Sequence, residues 1–330
     1  MRGSFVKAYY SLSEFFKRHV ISKKFVVTLG VFDGVHNGHQ KIVNETVLKA
    51  RKKGISSLLF TFDPHPVNAL SAYRKVPLLM STDHRVRLLK EAGVDNIVVL
   101  PFTRTLREMT AENFISKIFA RIRVEEVVIG ENFFFGKEKK GNPETLRAYS
   151  ALYGYRVSSI KALRSSGRII SSTRIRSLII SGKLKSASRL LSRPVSILGT
   201  VVRGHGRGRI IGFPTANIDP HHEAIPPSGV YAVKVLFSKP YKGKKHYKGI
   251  LNIGTRPTFK GPGLYNPEPT IEVHIFKFHK FIYGKILEIR FVRKLRDERR
   301  FKDGASLKRQ IESDVKRVKR ILAVSGNIAG

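Results

Sequence analysis

The sequence contains no cysteine in its 330 residues. This absence excludes disulfide bonds, thiolate catalysis and cysteine-ligated zinc, and it fits a cytoplasmic protein without requiring one. No apolar run reaches the roughly 18–20 residues that span a bilayer, so we expect no membrane partner. The first residues hold no continuous apolar segment before a cleavage site of small residues, so we expect no signal peptide.

Acidic residues are scarce, because 24 Asp and Glu stand against 62 Lys and Arg, and the formal net charge is +38. Such a charge suits nucleic acid, but it also suits small substrates that carry phosphates. Lys and Arg occur in nearly every segment and form no basic tail. The pattern therefore does not favour nucleic acid as the main partner. It predicts a self-repelling surface whose stability depends on salt.

The length suits two domains, each large enough to bury a core. In the first half, short β-rich runs alternate with helical patterns, which predicts a parallel sheet with helices on both faces. The predicted strands are Phe25–Phe32, Ile55–Phe62, Asn96–Phe102, Glu126–Ile129 and Val157–Ile160. The predicted helices follow Gly38, begin at Thr82, and cover Ala111–Ile122, Pro143–Leu152 and, as the last one, Ser172–Ile180.

The pattern changes near Leu191–Pro194, where short strands separated by Gly and Pro begin. This predicts a small antiparallel barrel or sandwich, closed by one amphipathic helix. The predicted apolar stripe of this helix comprises Leu307, Ile311, Val315, Val318 and Leu322. The boundary separates residues 1–190 from residues 191–330. The predicted strands of the second part are Val195–Val202, Gly229–Phe237, Tyr247–Ile253, Thr270–Phe276 and Ile286–Lys294.

The segment Gly30–His39, between the first predicted strand and the first predicted helix, is rich in glycine and histidine. In open α/β sheets, ligands bind at the carboxyl ends of strands, where this segment lies. His36 and His39 are three residues apart and so share one face of the first helical turn. The helix N-terminus adds N–H donors and partial positive charge, which suit a phosphate. The pattern predicts that both imidazoles stabilise charge at an α-phosphate during nucleotidyl transfer.

Two histidines at a helix start can also be ordinary surface residues. The residues before them favour a ligand site, because glycine lets the backbone approach a ligand closely. The His36–His39 element resembles that of the nucleotidylyltransferase superfamily, which implies adenylyl or cytidylyl transfer. The loop residues expected around the nucleotide are Gly30, Phe32, Asp33 and Gly34.

Three further segments belong with this loop. Thr61–Pro66 and Gly130–Gly136 each follow a predicted strand, so they should line the same crevice. Ile170–Arg176 opens a helix, and its hydroxyl and guanidinium groups suit the β- and γ-phosphates of ATP. Ser and Thr at this position also serve as ordinary helix caps, and both roles can hold at once.

Together the four segments resemble the FMN adenylyltransferase (FAD synthetase) module of bacterial bifunctional riboflavin kinase/FAD synthetases. The resemblance implies that His36 and His39 act on the reacting phosphate, and that Asn132 positions nucleotide or flavin phosphates. It implies that the triphosphate of ATP is bound by Ser172, Thr173 and Arg176. It gives Phe62, Pro64, Asn132 and Phe133 as flavin neighbours, with burial in the core as the alternative for the two phenylalanines.

A second glycine-rich segment, Gly204–Asn217, suggests a loop whose backbone wraps a phosphate, although it lacks the Walker A ending. The Thr215 hydroxyl and the Asn217 carboxamide are hard oxygen donors suited to Mg²⁺. Glu272 lies in an alternating strand. Its carboxylate either accepts a proton from an attacking hydroxyl or faces outward, and the spacing alone does not decide between these alternatives.

With four later segments, this set resembles the riboflavin kinase domain. These segments are Asn252–Phe259, Ile271–His274, Tyr283-Gly284 and Arg296-Asp297-Glu298. The resemblance implies a compact six-stranded β-barrel, Glu272 as the base for the ribityl hydroxyl, and Thr215 and Asn217 as Mg²⁺ and phosphate contacts. The expected phosphate contacts in the loop are Gly204, Gly208, Arg209 and Gly212.

The resemblance runs from about Phe25 to about Lys319, with two departures. Lys277, His279 and Lys280 stand where acidic residues are expected, and Ser192 replaces an expected glycine.

We therefore expect an ATP- and Mg²⁺-dependent enzyme that phosphorylates riboflavin to FMN and then adenylylates FMN to FAD. We expect a monomer or a weak homo-oligomer. One alternative is a monofunctional enzyme with one inactive site. Another is a basic nucleic-acid-binding protein on this fold. A third is a cytidylyltransferase acting on another alcohol phosphate, against which the second domain argues.

Overall fold

The computed structural model describes residues 7–18, 23–70, 75–119, 121–204, 206–221, 223–241, 244–256 and 268–324. The chain divides into two compact units. The first comprises Met1–Leu78 and Thr82–Arg174, and the second comprises Leu79–Ser81 and Ile175–Gly330. None of the helices in the described ranges is both long and apolar enough to cross a membrane.

The first unit is built on a six-stranded sheet. Its strands are β1 Lys7–Tyr9, β2 Lys24–Leu29, β3 Ser56–Asp63, β4 Asn96–Pro101, β5 Arg123–Gly130 and β6 Arg156–Ile160, followed by the small hairpin β7 Arg164–Ser165 and β8 Arg168–Ile169. Its helices are α1 Leu12–Arg18, α2 Asn37–Lys52, α3 Pro66–Leu70, α4 Thr82–Glu91, α5 Arg104–Arg107, α6 Ala111–Phe119, α7 Pro143–Ala148 and α8 Ser150–Tyr153, with a 3₁₀ turn at Lys137–Lys139.

The sheet order is β1-β4-β3-β2-β5-β6, and all pairs are parallel. This confirms the predicted parallel sheet. Strand β2 is the switch point, because β3 continues the sheet on one side of it and β5 on the other. The connections after β2 and β5 therefore leave in opposite directions, and a crevice forms at the carboxyl ends of these two strands.

Both faces of the sheet are covered, as predicted. Along β2, Phe25 and Val27 belong to the core cluster that holds Phe114 of α6, whereas Val26 packs with Ala50 of α2. Side chains that alternate along a strand point to opposite faces. A strand buried on both faces must be apolar throughout, which explains the continuous apolar run of β2.

The second unit contains most of α9 Ser172–Ile180, followed by α10 Leu184–Leu191 and a closed barrel. The barrel order is β10-β13-β12-β11-β14-β9, with antiparallel pairing throughout. The remaining elements are β9 Ser196–Val202, α11 Arg207–Ile210, β10 Ala216–Asp219, β11 Gly229–Tyr241, β12 Lys244–Arg256, β13 Glu268–Ile275, β14 Ile286–Arg296 and α12 Gly304–Val324. The six-stranded barrel and the closing helix confirm the predicted fold of this part.

Helix α12 packs on the barrel through its predicted apolar stripe. Val315, Val318 and Leu322 are buried in one cluster with Val230 and Leu295 of the barrel strands. Full burial of each such side chain contributes about 1.5–3 kcal/mol, which is enough to fix the helix on this face.

The structure corrects several element predictions. The segment Pro143–Leu152 is two helices, which meet at Tyr149, and the helix from Ala111 ends at Phe119 instead of Ile122. Strand β2 ends at Leu29 because the backbone turns left-handed at Phe32 (φ 53°). The sixth barrel strand, β10, has only four residues, too short to show alternation.

Helix Ser172–Ile180 is also not the last one before the barrel, because α10 follows it. The start of α10 carries no recognisable signal, since Lys183 at its N-cap makes no side-chain capping bond. Its C-cap is Ser192, in the left-handed conformation (φ 53°, ψ 24°). Glycine adopts this conformation without a Cβ penalty, which explains why a glycine was expected here.

We predict that Ser192→Gly raises the free energy of unfolding by roughly 0.5–1 kcal/mol, because a left-handed conformation costs an L-residue about 1–2 kcal/mol and glycine loses part of this gain to chain entropy. Urea denaturation measures the difference. Ser186→Gly, inside the same helix, is the matched control and should lower stability by roughly 0.5 kcal/mol. Equal effects of the two substitutions would contradict the prediction.

Candidate active sites

The loop after β2 makes a tight, unusual turn. Phe32, Gly34 and Val35 all have positive φ (53°, 87° and 38°). Gly30 must be small here, because a Cβ would lie 3.0 Å from the Phe32 ring. Left-handed phenylalanine and valine residues cost free energy, and such residues persist only where the surroundings hold them. The turn buries Asp33 and delivers His36 to the start of α2.

The two histidines of this loop lie against each other. His36 is the N-cap of α2, and its Nδ1 accepts a hydrogen bond from the His39 backbone N–H at 3.3 Å. The imidazole rings stack with centroids 3.6 Å apart and 17° between their planes. Gly38 permits this, since a Cβ there would lie 3.2 Å from the His36 ring. The predicted shared face is confirmed, and it lies at the positive end of the helix dipole.

Helix α9 joins the same loop through its first residue. The Ser172 hydroxyl donates to the Asp33 carbonyl at 2.8 Å, and the Ser171 hydroxyl accepts from the Arg174 N–H at 3.3 Å. Ser171 is thus an ordinary cap, whereas Ser172 bonds to the loop between β2 and α2. This loop, residues 30–36, is called the histidine loop below. The Thr173 side chain is exposed, and Arg176 lies one turn further along α9.

The predicted flavin neighbours follow β3 and β5. Phe62 and Phe133 are partly buried and pack against the main core cluster, with Phe133 stacked on Phe135 at 5.5 Å. Pro64 and Asn132 are exposed, and Pro64 follows a cis peptide bond. All four residues lie at the carboxyl edge of the sheet, where the histidine loop also begins. The two aromatic rings therefore belong partly to the core, in line with the alternative given for them.

Sequence reasoning missed Arg85 on α4. This arginine is only 2% exposed and donates to the Val31 carbonyl at 2.9 Å and to the Phe62 carbonyl at 2.7 Å. In the sequence it stands two residues before Arg87, in a helix rich in charge. No local signal separates a buried arginine from an exposed one in such a pattern.

The second unit contains a cavity of about 430 Å³ between barrel strands, the glycine-rich segment and α12. Strand register places Glu272 of β13 opposite both Asn217 of β10 and Asn252 of β12. The Thr215 hydroxyl donates to Glu272 Oε2 at 3.4 Å. The cavity is lined by Gly206, Gly208, Ile211, Phe213, Thr215, Asn217, Val230, Ile250, Asn252, Thr270, Glu272, His274, Arg296, Glu298, Arg299, Phe301, Leu307, Ile311 and Asp314.

The glycine-rich segment packs its backbone closely over this cavity. A Cβ at Gly204 would overlap the Asn217 carboxamide, and one at Gly208 would lie 3.1 Å from Thr215 Oγ1. Gly212 has φ 88°. The Arg209 side chain is exposed. His205 and residues 257–259, which belonged to the predicted motifs, lie outside the described residues.

Several cavity residues were not predicted as site residues. Arg296 forms an ion pair at 2.8 Å with Asp314 of α12, and both are well buried. The His274 ring nitrogen Nδ1 lies 2.8 Å from the Pro214 carbonyl. A carbonyl only accepts, so Nδ1 carries the proton and Nε2 carries the lone pair in the neutral ring. Asn252, His274 and Arg296 stood in motif segments, but spacing alone did not show which side of each strand they occupy.

The fold combines a parallel sheet, with a histidine-bearing loop at its carboxyl edge, and a six-stranded barrel whose cavity contains Glu272. The family matches to these two parts define the class as a transferase. Residues 19–174 match the FAD synthetase family, and residues 191–322 match the riboflavin kinase family.

Curated relatives match almost the whole chain. The bifunctional riboflavin kinase/FMN adenylyltransferase of Haemophilus influenzae is 36% identical over 89% of this chain and 92% of its own length. The protein of that name from Listeria monocytogenes is 37% identical over 88% and 90%. A crystal structure of a Streptococcus pneumoniae protein described as a macrolide-efflux protein has a TM-score of 0.78 at 31% identity, covering 92% of this chain and 96% of that one. The chain belongs to the family of bifunctional riboflavin kinase/FMN adenylyltransferases.

The barrel site yields a pH prediction. Burial lowers the pKa of His274 below its ordinary 6.5, and the hydrogen bond with Pro214 opposes the shift only in part. As the pH falls below 6.5, the unfolded chain binds this proton first, so the free energy of unfolding should decrease between about pH 7 and pH 5. NMR titration of the His274 C2 proton and urea unfolding at several pH values measure this.

His274→Gln should remove that part of the pH dependence. His246→Gln, at an exposed histidine that does not contribute to this shift, is the control and should leave the His274 titration unchanged. A His274 midpoint above 6.5 would show that the burial argument is wrong.

Proposed function

We infer that this chain is a bifunctional transferase that makes FMN from riboflavin and FAD from FMN. The barrel unit transfers the γ-phosphoryl group of ATP to riboflavin. The sheet unit transfers the AMP group of ATP to FMN and releases pyrophosphate. The observation that carries this inference is that two different families match two separate parts of the chain, residues 19–174 and residues 191–322.

In the barrel, we propose Glu272 as the base for the flavin ribityl hydroxyl. Its carboxylate lines the cavity beside Thr215. The hydroxyl oxygen forms a bond to the γ-phosphorus of ATP, the bond to ADP breaks, and the hydroxyl proton passes to the carboxylate. The proposed phosphate contacts are Gly204, Gly208, Arg209 and Gly212.

The donor set in this cavity fits Mg²⁺, which we propose is held by Thr215 and Asn217 together with the nucleotide phosphates. Hydroxyl and amide oxygens are the hard donors this ion prefers, and the small Gly204 leaves the Asn217 carboxamide its place. Among the residues described, no cluster of three or more His, Asp or Glu side chains forms a metal site. When bound, Mg²⁺ offsets the charge of the phosphates.

In the sheet unit, we propose that His36 and His39 act on the α-phosphate. An oxygen of the FMN phosphate attacks the α-phosphorus, and pyrophosphate leaves. No base is needed, because this phosphate is ionised at neutral pH. The stacked imidazoles at the helix N-terminus stabilise the charge that builds on the α-phosphate.

The other contacts proposed for adenylyl transfer are as follows. Ser172, Thr173 and Arg176 hold the β- and γ-phosphates. The loop after β2 surrounds the nucleotide through Gly30, Phe32, Asp33 and Gly34. The proposed flavin contacts are Phe62, Pro64, Asn132 and Phe133.

We further propose that residues 1–190 carry adenylyl transfer and residues 191–330 carry the kinase. The protein works in the cytoplasm, as a monomer or a weak homo-oligomer, on small phosphate-bearing substrates and not mainly on nucleic acid. Support comes from the absence of cysteine and from the smeared charge.

Two substitutions should separate the activities. With riboflavin, ATP and Mg²⁺, His36→Ala should accumulate FMN and lower FAD formation at least ~100-fold, because a preorganised stabiliser of the transition state is lost. Glu272→Gln should lower FMN formation ~100-fold or more and still convert supplied FMN to FAD. Chromatography of the flavins measures both.

The unmodified protein is the control and should yield FMN and FAD. Riboflavin that stays unchanged while supplied FMN becomes FAD would remove the kinase half of the inference. If neither flavin is converted, and the protein instead binds RNA or DNA with a steep salt dependence, the nucleic-acid alternative is correct.

The metal assignment has its own test. Gly204→Ala should displace the Asn217 carboxamide and raise the Mg²⁺ concentration needed for half-maximal FMN formation, by roughly tenfold for the loss of one good ligand contact. Adenylyl transfer in the same preparation should keep its rate. Gly304→Ala, at the first residue of α12 with nothing within 4 Å of the new Cβ, is the control. An unchanged Mg²⁺ dependence would contradict the assignment of Asn217.

A further inference from the structure

Arg85 connects the ends of two strands of the sheet. Its Nη1 donates to the Val31 carbonyl at 2.9 Å, at the start of the histidine loop. Its Nη2 donates to the Phe62 carbonyl at 2.7 Å, near the end of β3, and to Thr82 Oγ1 at 3.2 Å. The planar guanidinium thus holds one carbonyl just after the end of β2 and one near the end of β3, and these two positions lead into different loops.

Further hydrogen bonds complete this arrangement. The Val31 carbonyl also accepts from the Thr61 hydroxyl at 3.0 Å. The Thr82 hydroxyl, which accepts from Arg85, donates to Asp63 Oδ1 at 2.7 Å. The histidine loop, the loop after β3 and the first turn of α4 are therefore held together around one buried cation.

Stability alone does not explain a buried arginine here. Only 2% of Arg85 is exposed, and its burial lowers the pKa of the guanidinium, while the charges of Asp33 and Asp63 oppose that shift. Within the described part of the chain, no carboxylate forms an ion pair with it, and its Nε has no hydrogen-bond partner. Burying such a charge costs several kcal/mol, and an apolar residue of similar size is often the more stable choice.

The position of Val31 indicates which part of the structure the buried arginine keeps in place. Val31 immediately precedes the turn from Phe32 to Val35, in which two bulky residues are left-handed. A strained turn relaxes unless its flanks are fixed, and the carbonyl at its start is fixed by two donors. The same turn sets the place of His36, whose ring stacks on His39.

We propose that Arg85 is a positioning residue for adenylyl transfer. It fixes the histidine loop relative to the loop that carries Pro64, and its charge adds to the positive potential at the N-terminus of α2. This proposal rests on the proposed function of the sheet unit. Misplacement of reacting groups by about 1 Å can cost ~100-fold in rate, so the loss should appear mainly in kcat.

The test compares four variants of the full chain in steady-state FAD formation from FMN. Arg85→Met should lower kcat ~100-fold with KM for FMN and ATP changed less than about threefold. Thr82→Val removes one partner and should lower kcat roughly tenfold. Arg85→Lys keeps the charge but cannot donate to both carbonyls in one plane, so its kcat should lie between those of Arg85→Met and the unmodified protein. Arg87→Met, two residues on and part-exposed, should match the unmodified protein.

FMN formation from riboflavin, measured in the same preparations, is the internal control and should not change. An Arg85→Met variant with unaltered kcat, or one whose loss lies wholly in KM, would overturn the proposal, as would full activity in Arg85→Lys. If Arg85→Met does not fold, the Thr82→Val variant tests the proposal, and a normal kcat in that variant would overturn it. Failure of the unmodified protein to make FAD would instead refute the proposed function, so the two failures are distinguishable.

Discussion

The conformation of the turn from Phe32 to Val35 is the constraint on which the sheet site depends. Its left-handed residues are unfavourable in isolation, so the free energy must come from the surroundings. The Ser172 hydroxyl donates to the Asp33 carbonyl. The Val31 carbonyl, just before the turn, accepts hydrogen bonds from Arg85 and from Thr61 of β3. The switch-point topology of the sheet brings these hydrogen-bond partners to one edge, which is why a strained loop is stable at the carboxyl ends of the strands.

The barrel solves a similar problem by another route. Its glycine-rich segment packs so closely that a Cβ at Gly204 would overlap the Asn217 carboxamide of β10, and a Cβ at Gly208 would overlap the Phe213 carbonyl of the segment itself. A closed barrel has no free strand edge, so Asn217, Glu272 and Asn252 sit at fixed register positions on three adjacent strands. In the first unit a strained turn positions the site. In the second unit, the close packing of the glycine-rich segment and the fixed register of the barrel strands position the site.

The sequence predicted the parts of both units that repeat along the chain or crowd into a short segment. Apolar runs flanked by glycine predicted the parallel sheet, and the pair His36 and His39 predicted the helix start at which they stack. Elements without a local signal were missed: α10, which lacks a capping side chain, and β10, which has four residues. Arg85 was missed because its role lies in contacts with Val31 and Phe62, which are distant in sequence.

The scarcity of acidic residues links both sites to the rest of the molecule. Several carboxylates are used inside the fold, where Glu126 pairs with Lys49, and Asp314 pairs with Arg296 beside the barrel cavity. With 62 basic and only 24 acidic residues, the pairing of carboxylates inside the fold leaves most surface cations to repel one another.

A phosphate-bearing substrate therefore gains binding free energy in two ways. It meets hydrogen-bond donors placed by the loops, and it relieves a part of the repulsion between cations. The first gain depends on geometry and resists salt, whereas the second is screened within about 10 Å at 0.1 M ionic strength. The loops, and not the net charge, must then be what distinguishes one phosphate ester from another.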